Sequence, residues 1–290
     1  MRHTVRSLAI ALLAVMAAVL LALSTTWTSV VLAATALIMG GTGHPLSRPQ
    51  DTQPFISDYV NGANNSLIDN SGPCAGGSPG CNLVAVYTPE QFRFDTGFFD
   101  MTFDQSVAAG RQNLDNCIQG SSCRVTLGPS YNATTDQSVS DTTYVVYGYS
   151  QSATVATLEK RFLAQPGNTP GGTTVNFVLA ANPNRPNGGI LERFAGLHIP
   201  IVGVTFNGAT PTDTGMTTVD VARQYDGWAD FPTNPLNLLA DLNAGLGIYY
   251  LHGNYSGLGN RNCKASTATP RTTSIPPRSF RCSCRSSRCR

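Results

Sequence analysis

The stretch "TTYVVYGYSQSATVATLEKRFLAQ", residues 142–165, leaves a folding chain little choice. Thr142 to Tyr149 is a run of β-branched and aromatic residues, the composition of a strand. Ala153, Val155, Ala156, Leu158, Phe162 and Leu163 then form an apolar stripe at helical spacing. No loop separates the two, so a strand must give way to a helix within one or two residues. The junction reads Gly148-Tyr149-Ser150-Gln151-Ser152 and resembles the G-x-S-x-G nucleophile elbow, with serine in place of the last glycine. In an elbow the serine hydroxyl stands above the sheet, and the helix N-terminus faces the charge that develops on a substrate oxygen.

The rest of the chain alternates in the same way. Strands are expected at Thr35 to Met39, at "NLVAVYTP" (82–89), at "TTVNFVLAANP" (173–183), at "IPIVGVTF" (199–206) and at "TTVDVARQYDG" (217–227). Helices are expected over 100–120, where Phe103, Val107, Ala108, Leu114 and Ile118 share a face, and over the apolar stretch 234–251. Strands alternating with helices predict an α/β fold, a mostly parallel sheet with helices on both faces.

Charge excludes some partners. Residues 261–290 carry eight basic side chains and no acid, which leaves 11 bases against 17 acids in residues 1–260. A nucleic-acid partner needs a basic face on the folded part, and this body is acidic. At the other end Arg2 and Arg6 precede an uncharged apolar run, Leu8 to Leu23. That is the layout of a secretory signal, either cleaved near Ala22-Leu23-Ser24 or kept as a membrane anchor over residues 1–34. Export, to the medium or the cell envelope, fits the cysteines. Cys74 and Cys81 bracket one short Gly/Ser loop, Cys117 and Cys123 another, and both pairs read as local disulfides. Neither pair has zinc-site spacing, so no metal is expected there.

A serine nucleophile needs a base, an acid and an oxyanion site. His3 lies in the leader, His44 precedes the serine, and His198 has only Glu159 and Glu192 as acids between itself and Ser150. His252 follows a helix, where the histidine loop of an α/β-hydrolase belongs, and is the candidate base. Asp226, beside Gly227 at a strand-to-loop boundary, is the candidate acid, with Asp230 as the alternative. The oxyanion donors expected are the backbone N–H of Gln151 and the loop Gly40-Gly41-Thr42-Gly43, notably Gly41 and Thr42. That loop lacks the lysine of a P-loop and the G-x-G-x-x-G spacing of a dinucleotide site, and no cofactor is expected.

Together "ALIMGGTGHPL", "YGYSQSA", "TVNFVLAANPNRPNGGILERF" and "TVDVARQYDGWADFPTNPLNLLADLNA" resemble the PE-PPE domain of mycobacteria over residues 35–256. The resemblance implies a cutinase-like serine α/β-hydrolase fold, in which G-x-S-x-S is an accepted elbow. It implies a Ser/Asp/His carboxylic ester hydrolase on Ser150, Asp226 and His252, acting on acyl esters or lipids. Some proteins of this arrangement resemble cell-envelope acyltransferases, which pass the acyl chain to a sugar, and a non-catalytic envelope-binding module is the third reading. The domain is expected over 35–260. Beyond it, 261–290 is an irregular Cys/Arg-rich tail, read either as frame-shifted from about Cys263 or as a basic segment touching anionic lipids.

Overall fold

The computed structural model describes residues 34–69, 74, 80–234 and 236–255. The expected leader and tail lie outside these. The described elements run β1 (Thr35–Ile38), α1 (Gln53–Ala63) with a π-helical turn (Asn64–Ile68), β2 (Asn82–Val86), α2 (Phe103–Ile118), β3 (Ser122–Leu127), β4 (Thr134–Ser138), β5 (Thr143–Tyr149), α3 (Gln151–Leu163), β6 (Thr174–Ala180), α4 (Ile190–Arg193), β7 (His198–Ile199), β8 (Val204–Thr205), β9 (Thr218–Val221) and α5 (Leu238–Tyr250).

A seven-stranded sheet with order β4-β3-β2-β1-β5-β6-β9 organises the fold. The pairs β2/β1, β1/β5, β5/β6 and β6/β9 are parallel, while β3 and β4 add an antiparallel hairpin at one edge. Side chains alternate across the sheet. Leu37, Val84, Val146 and Phe177 pack with Phe103, Val107 and Leu114 of α2 and with Val155 and Leu163 of α3. On the other face Ala36, Ile38, Val145, Tyr147 and Val178 pack with Ile56 and Val60 of α1. Burial on both faces is why β5 reads as one continuous apolar run rather than an alternating one.

From β1 the chain turns one way to β2 and only later returns on the other side as β5. Parallel sheets open a crevice where the strand order reverses in this way, outside the carboxyl ends of the two strands. Here those ends are the Gly40–Gly43 loop and Ser150.

Two expectations change. The apolar segment 199–206 is not one strand but two short ones, β7 and β8, joined by a turn in which Gly203 N–H donates to Pro200 O (3.2 Å). Proline has no N–H for a ladder, and Gly203 adopts a left-handed φ of 58° where a Cβ would lie 2.4 Å from Thr102. The strand expected over 217–227 stops at Val221, and the N–H of Arg223 donates to the Tyr255 hydroxyl (2.9 Å) instead of extending it. Strands β3 and β4 and helix α1 are additions. Cysteine pairing follows expectation: Cys74 is bonded to Cys81 and Cys117 to Cys123.

Candidate active site

Ser150 stands between β5 and α3 with φ 57° and ψ −116°, a left-handed backbone that costs a non-glycine residue conformational energy. Its N–H still donates to Ala180 O of β6 (3.1 Å), so the sheet holds the chain up to the turn. The helix then doubles back tightly. A Cβ at Gly148 would lie 2.6 Å from Ser152 O and 2.9 Å from the Ala153 Cα, which makes glycine the residue that admits this crossing.

The serine hydroxyl lies 2.7 Å from His252 Nε2. On the far side of the imidazole, Nδ1 is 2.9 and 3.0 Å from the two carboxylate oxygens of Asp226. An ionised carboxylate only accepts, so Nδ1 carries the ring proton and Nε2 is left to accept from the serine. Asp226 is fully buried, yet each of its oxygens has a further donor. Trp228 N–H reaches Oδ1 (3.0 Å) and the Tyr255 hydroxyl reaches Oδ2 (2.5 Å). Burial pushes the Tyr255 phenol well above its ordinary range, and the negative charge of Asp226 adds to this, so Tyr255 remains a donor. Tyr149, raised by burial first and Asp226 second, donates to the backbone oxygen of His252 (2.5 Å) and stacks on its ring.

Backbone contacts bring the histidine and the acid together. Gly247 of α5 sits so close to the loop before it that a Cβ would lie 1.6 Å from Tyr225 O. A Cβ at Gly227 would lie 2.3 Å from Ala244 O. The two glycines let α5 rest directly on the Asp226 loop. His252 then follows with its N–H on Gly247 O (3.1 Å).

The other expected residues fall as follows. Asp230 turns to Tyr225 N–H (3.1 Å) and Arg185 (3.5 Å) and belongs to the support of the loop. His44 pairs with Asp51 and His198 with Thr205, both outside the Ser150–His252 chain. In the glycine loop, Gly43 N–H donates to Glu90 O (2.7 Å) and His44 N–H to Gly41 O (2.8 Å). The N–H groups of Gly41, Thr42 and Gln151 have no acceptor among the described residues. The buried Gln151 side chain accepts from Ser106 (2.7 Å) and donates to Gln91 O (3.1 Å) and Thr42 Oγ1 (3.4 Å). Sequence reasoning missed Tyr149, Tyr255, Trp228 N–H and Glu90, because each acts through a contact made only on folding.

Sheets of this topology, covered by helices and opening at a left-handed serine that meets a histidine–carboxylate pair, form the cutinase-like α/β-hydrolases, and this domain is one of them. Comparison with known families narrows the class: the chain belongs to the PE-PPE domain family, whose model matches residues 79–276. It is 45% identical over 226 residues to Esterase PE16 of Mycobacterium tuberculosis, a match covering 77% of this chain and 37% of that protein. From the same organism, SL1278 acyltransferase Chp1 is 33% identical over 60% of this chain and 38% of its own length. Diacyltrehalose acyltransferase Chp2 is 28% identical over 53% and 39%. The chain thus spans about two fifths of the length of each of these three relatives.

Proposed function

We propose that this chain is a serine esterase that cleaves acyl esters through an acyl-enzyme on Ser150. The observation that carries the reading is the hydrogen-bond chain from Ser150 Oγ through His252 to Asp226, set on a left-handed serine at a helix N-terminus. His252 Nε2 takes the hydroxyl proton as Oγ attacks the ester carbonyl, and the imidazolium is stabilised by Asp226. The tetrahedral oxyanion is met by the N–H groups of Gln151 and of Thr42 or Gly41. His252 returns the proton to the departing alcohol, and water, activated by the same histidine, releases the acid. The substrate is a neutral acyl ester. Leu238, Leu239, Leu242 and Leu246 of α5, the helix that runs into His252, are exposed and suit an acyl chain.

Similarity to the relative named Esterase PE16 supports hydrolysis. The two acyltransferase relatives support a second reading in which a sugar hydroxyl replaces water as acceptor. The apolar run at Leu8 to Leu23 supports secretion or export to the cell envelope. Turnover of chromogenic acyl esters of graded chain length, by the chain as it stands and by Ser150→Ala, tests the first reading. Loss of turnover by at least about 10³-fold in the variant is expected, and undiminished turnover would sink it. Adding trehalose and looking for acylated sugar decides the acceptor.

A further inference from the structure

The residue at the place of the missing elbow glycine has its own task. Strand β1 pairs with β5 in register Ile38 to Tyr147, and the ladder continues with Met39 N–H donating to Tyr147 O (3.1 Å). In a parallel ladder the next rung joins Tyr149 N–H to Met39 O. Here it does not form. Met39 O accepts from the Tyr59 hydroxyl (3.2 Å), and Tyr149 N–H donates to Ser152 Oγ (2.8 Å). The Ser152 hydroxyl faces the carbonyls of Gly40 and Tyr149, with Gly40 the nearer, and its single proton goes there. A side chain thus relays the last rung between the two strands, and the strand ends it joins are the start of the glycine loop and the residue before Ser150.

We propose that Ser152 is a positioning residue, whose hydroxyl fixes the Gly40–Gly43 loop against the elbow so that its N–H groups face the carbonyl attacked by Ser150. The inference rests on the esterase reading. The side chain is fully buried, and no other donor reaches Gly40 O among the described residues. The rest of the loop has different anchors: Gly43 N–H on Glu90 O, Thr42 Oγ1 on Gln151, and Gly41 against the Tyr149 ring, where a Cβ would lie 2.7 Å from Cδ1. Among the described residues only Ser152 holds Gly40 O at the start of the loop. A glycine at 152 keeps the tight crossing and loses the relay, leaving a buried carbonyl and a buried N–H to seek other partners. Donors displaced by a fraction of an ångström still admit substrate, but they meet the oxyanion poorly, so the loss belongs to kcat rather than KM.

Two variants separate the hydroxyl from packing: Ser152→Ala keeps the Cβ, and Ser152→Gly restores the commoner elbow. Both are expected to lower kcat on a short acyl ester by about tenfold with KM within about twofold. Amide hydrogen exchange over residues 39–44 is expected to quicken in both, while peptides from α2 and β6 keep their rates. A kcat kept in both variants, a loss expressed in KM alone, or loop exchange equal to that of the unsubstituted chain would each overturn the proposal. If the unsubstituted chain hydrolyses no ester, the esterase reading fails by itself, and the exchange rates still decide whether Ser152 holds the loop.

Discussion

At the residue scale the site depends on how a buried anion is kept. Asp226 is wholly inside the protein and faces the His252 imidazole. A carboxylate there is tolerable only if its oxygens are satisfied, and Trp228 N–H and Tyr255 supply what His252 does not. Asp230, four residues on, makes contacts of another kind: it accepts from Tyr225 N–H and meets Arg185, shaping the loop from outside. The two acids are therefore expected to separate in a single comparison. Asp226→Asn keeps the shape of the side chain but turns one of the two oxygens facing His252 Nδ1 into a donor and removes the charge that stabilises the imidazolium, and kcat falls by about 10³- to 10⁴-fold. Asp230→Asn keeps the acceptor for Tyr225 N–H and lowers kcat by less than about tenfold. Steady-state kinetics of both on one ester checks this, and equal losses would remove the distinction.

At the element scale, α5 works as a strut. It buries only Ala244 and Gly247, so few apolar contacts hold it, and its position is set by backbone meeting backbone at Gly227 and Gly247. A methyl group at 247 would collide with Tyr225 O and lift the helix, carrying His252 away from Asp226. Gly247→Ala is expected to destabilise by about 1–3 kcal/mol and to lower kcat by about 10²-fold or more. Gly245→Ala is the control: a Cβ there meets open space, so helix propensity stabilises by up to about 1 kcal/mol and kcat holds. Elements with a strong pattern were readable in the sequence for the same physical reasons that place them. β5 and β6 are buried on both faces, and α2 and α3 carry apolar stripes, so each announces itself. Helix α1 hides because Pro54 and the Asn and Gly residues around it read as a loop, although Thr52 caps it and Pro54 suits its first turn. Strands β3 and β4 hide because they form an edge hairpin with polar, exposed positions, "TTDQS" above all. Ser150, Asp226 and His252 could be proposed from a motif, an order and elimination. Tyr255, Tyr149 and the relay through Ser152 could not, since they depend on strand ends and loops that meet only in three dimensions.

At the scale of the whole molecule, buried charge ties stability to pH. Burial pushes the Glu90 carboxyl up to about 8, opposed only by the Thr88 hydroxyl on one of its oxygens. Burial likewise raises Glu159 to about 8, with Asp115 adding to the rise and Arg111 opposing it, and raises Asp220 to about 6 against Asn182, Arg185 and Lys160. Lys160 moves the other way, down to about 8, because burial outweighs Asp213 and Asp220. From the ordinary carboxylate range up to pH 8 the folded chain holds protons that the unfolded chain has released, so these carboxyls make stability fall as pH rises. Above pH 8 the unfolded chain keeps the lysine proton that the folded chain has lost, and Lys160 makes stability rise again toward 10.5. Taken together the four groups place a stability minimum near pH 8. Glu90 also links this to the site, since its backbone oxygen accepts Gly43 N–H at the glycine loop while its Oε2 has no partner among the described residues. Once ionised, that carboxylate is driven toward water and strains the loop it supports. Glu90→Gln, which mimics the neutral acid, is expected to flatten the fall in thermal midpoint between pH 5 and pH 8 and to remove a loss of kcat centred near pH 8. A variant whose midpoint and kcat keep the dependence of the unsubstituted chain would show that Glu90 stays neutral, or is harmless when charged, across that range.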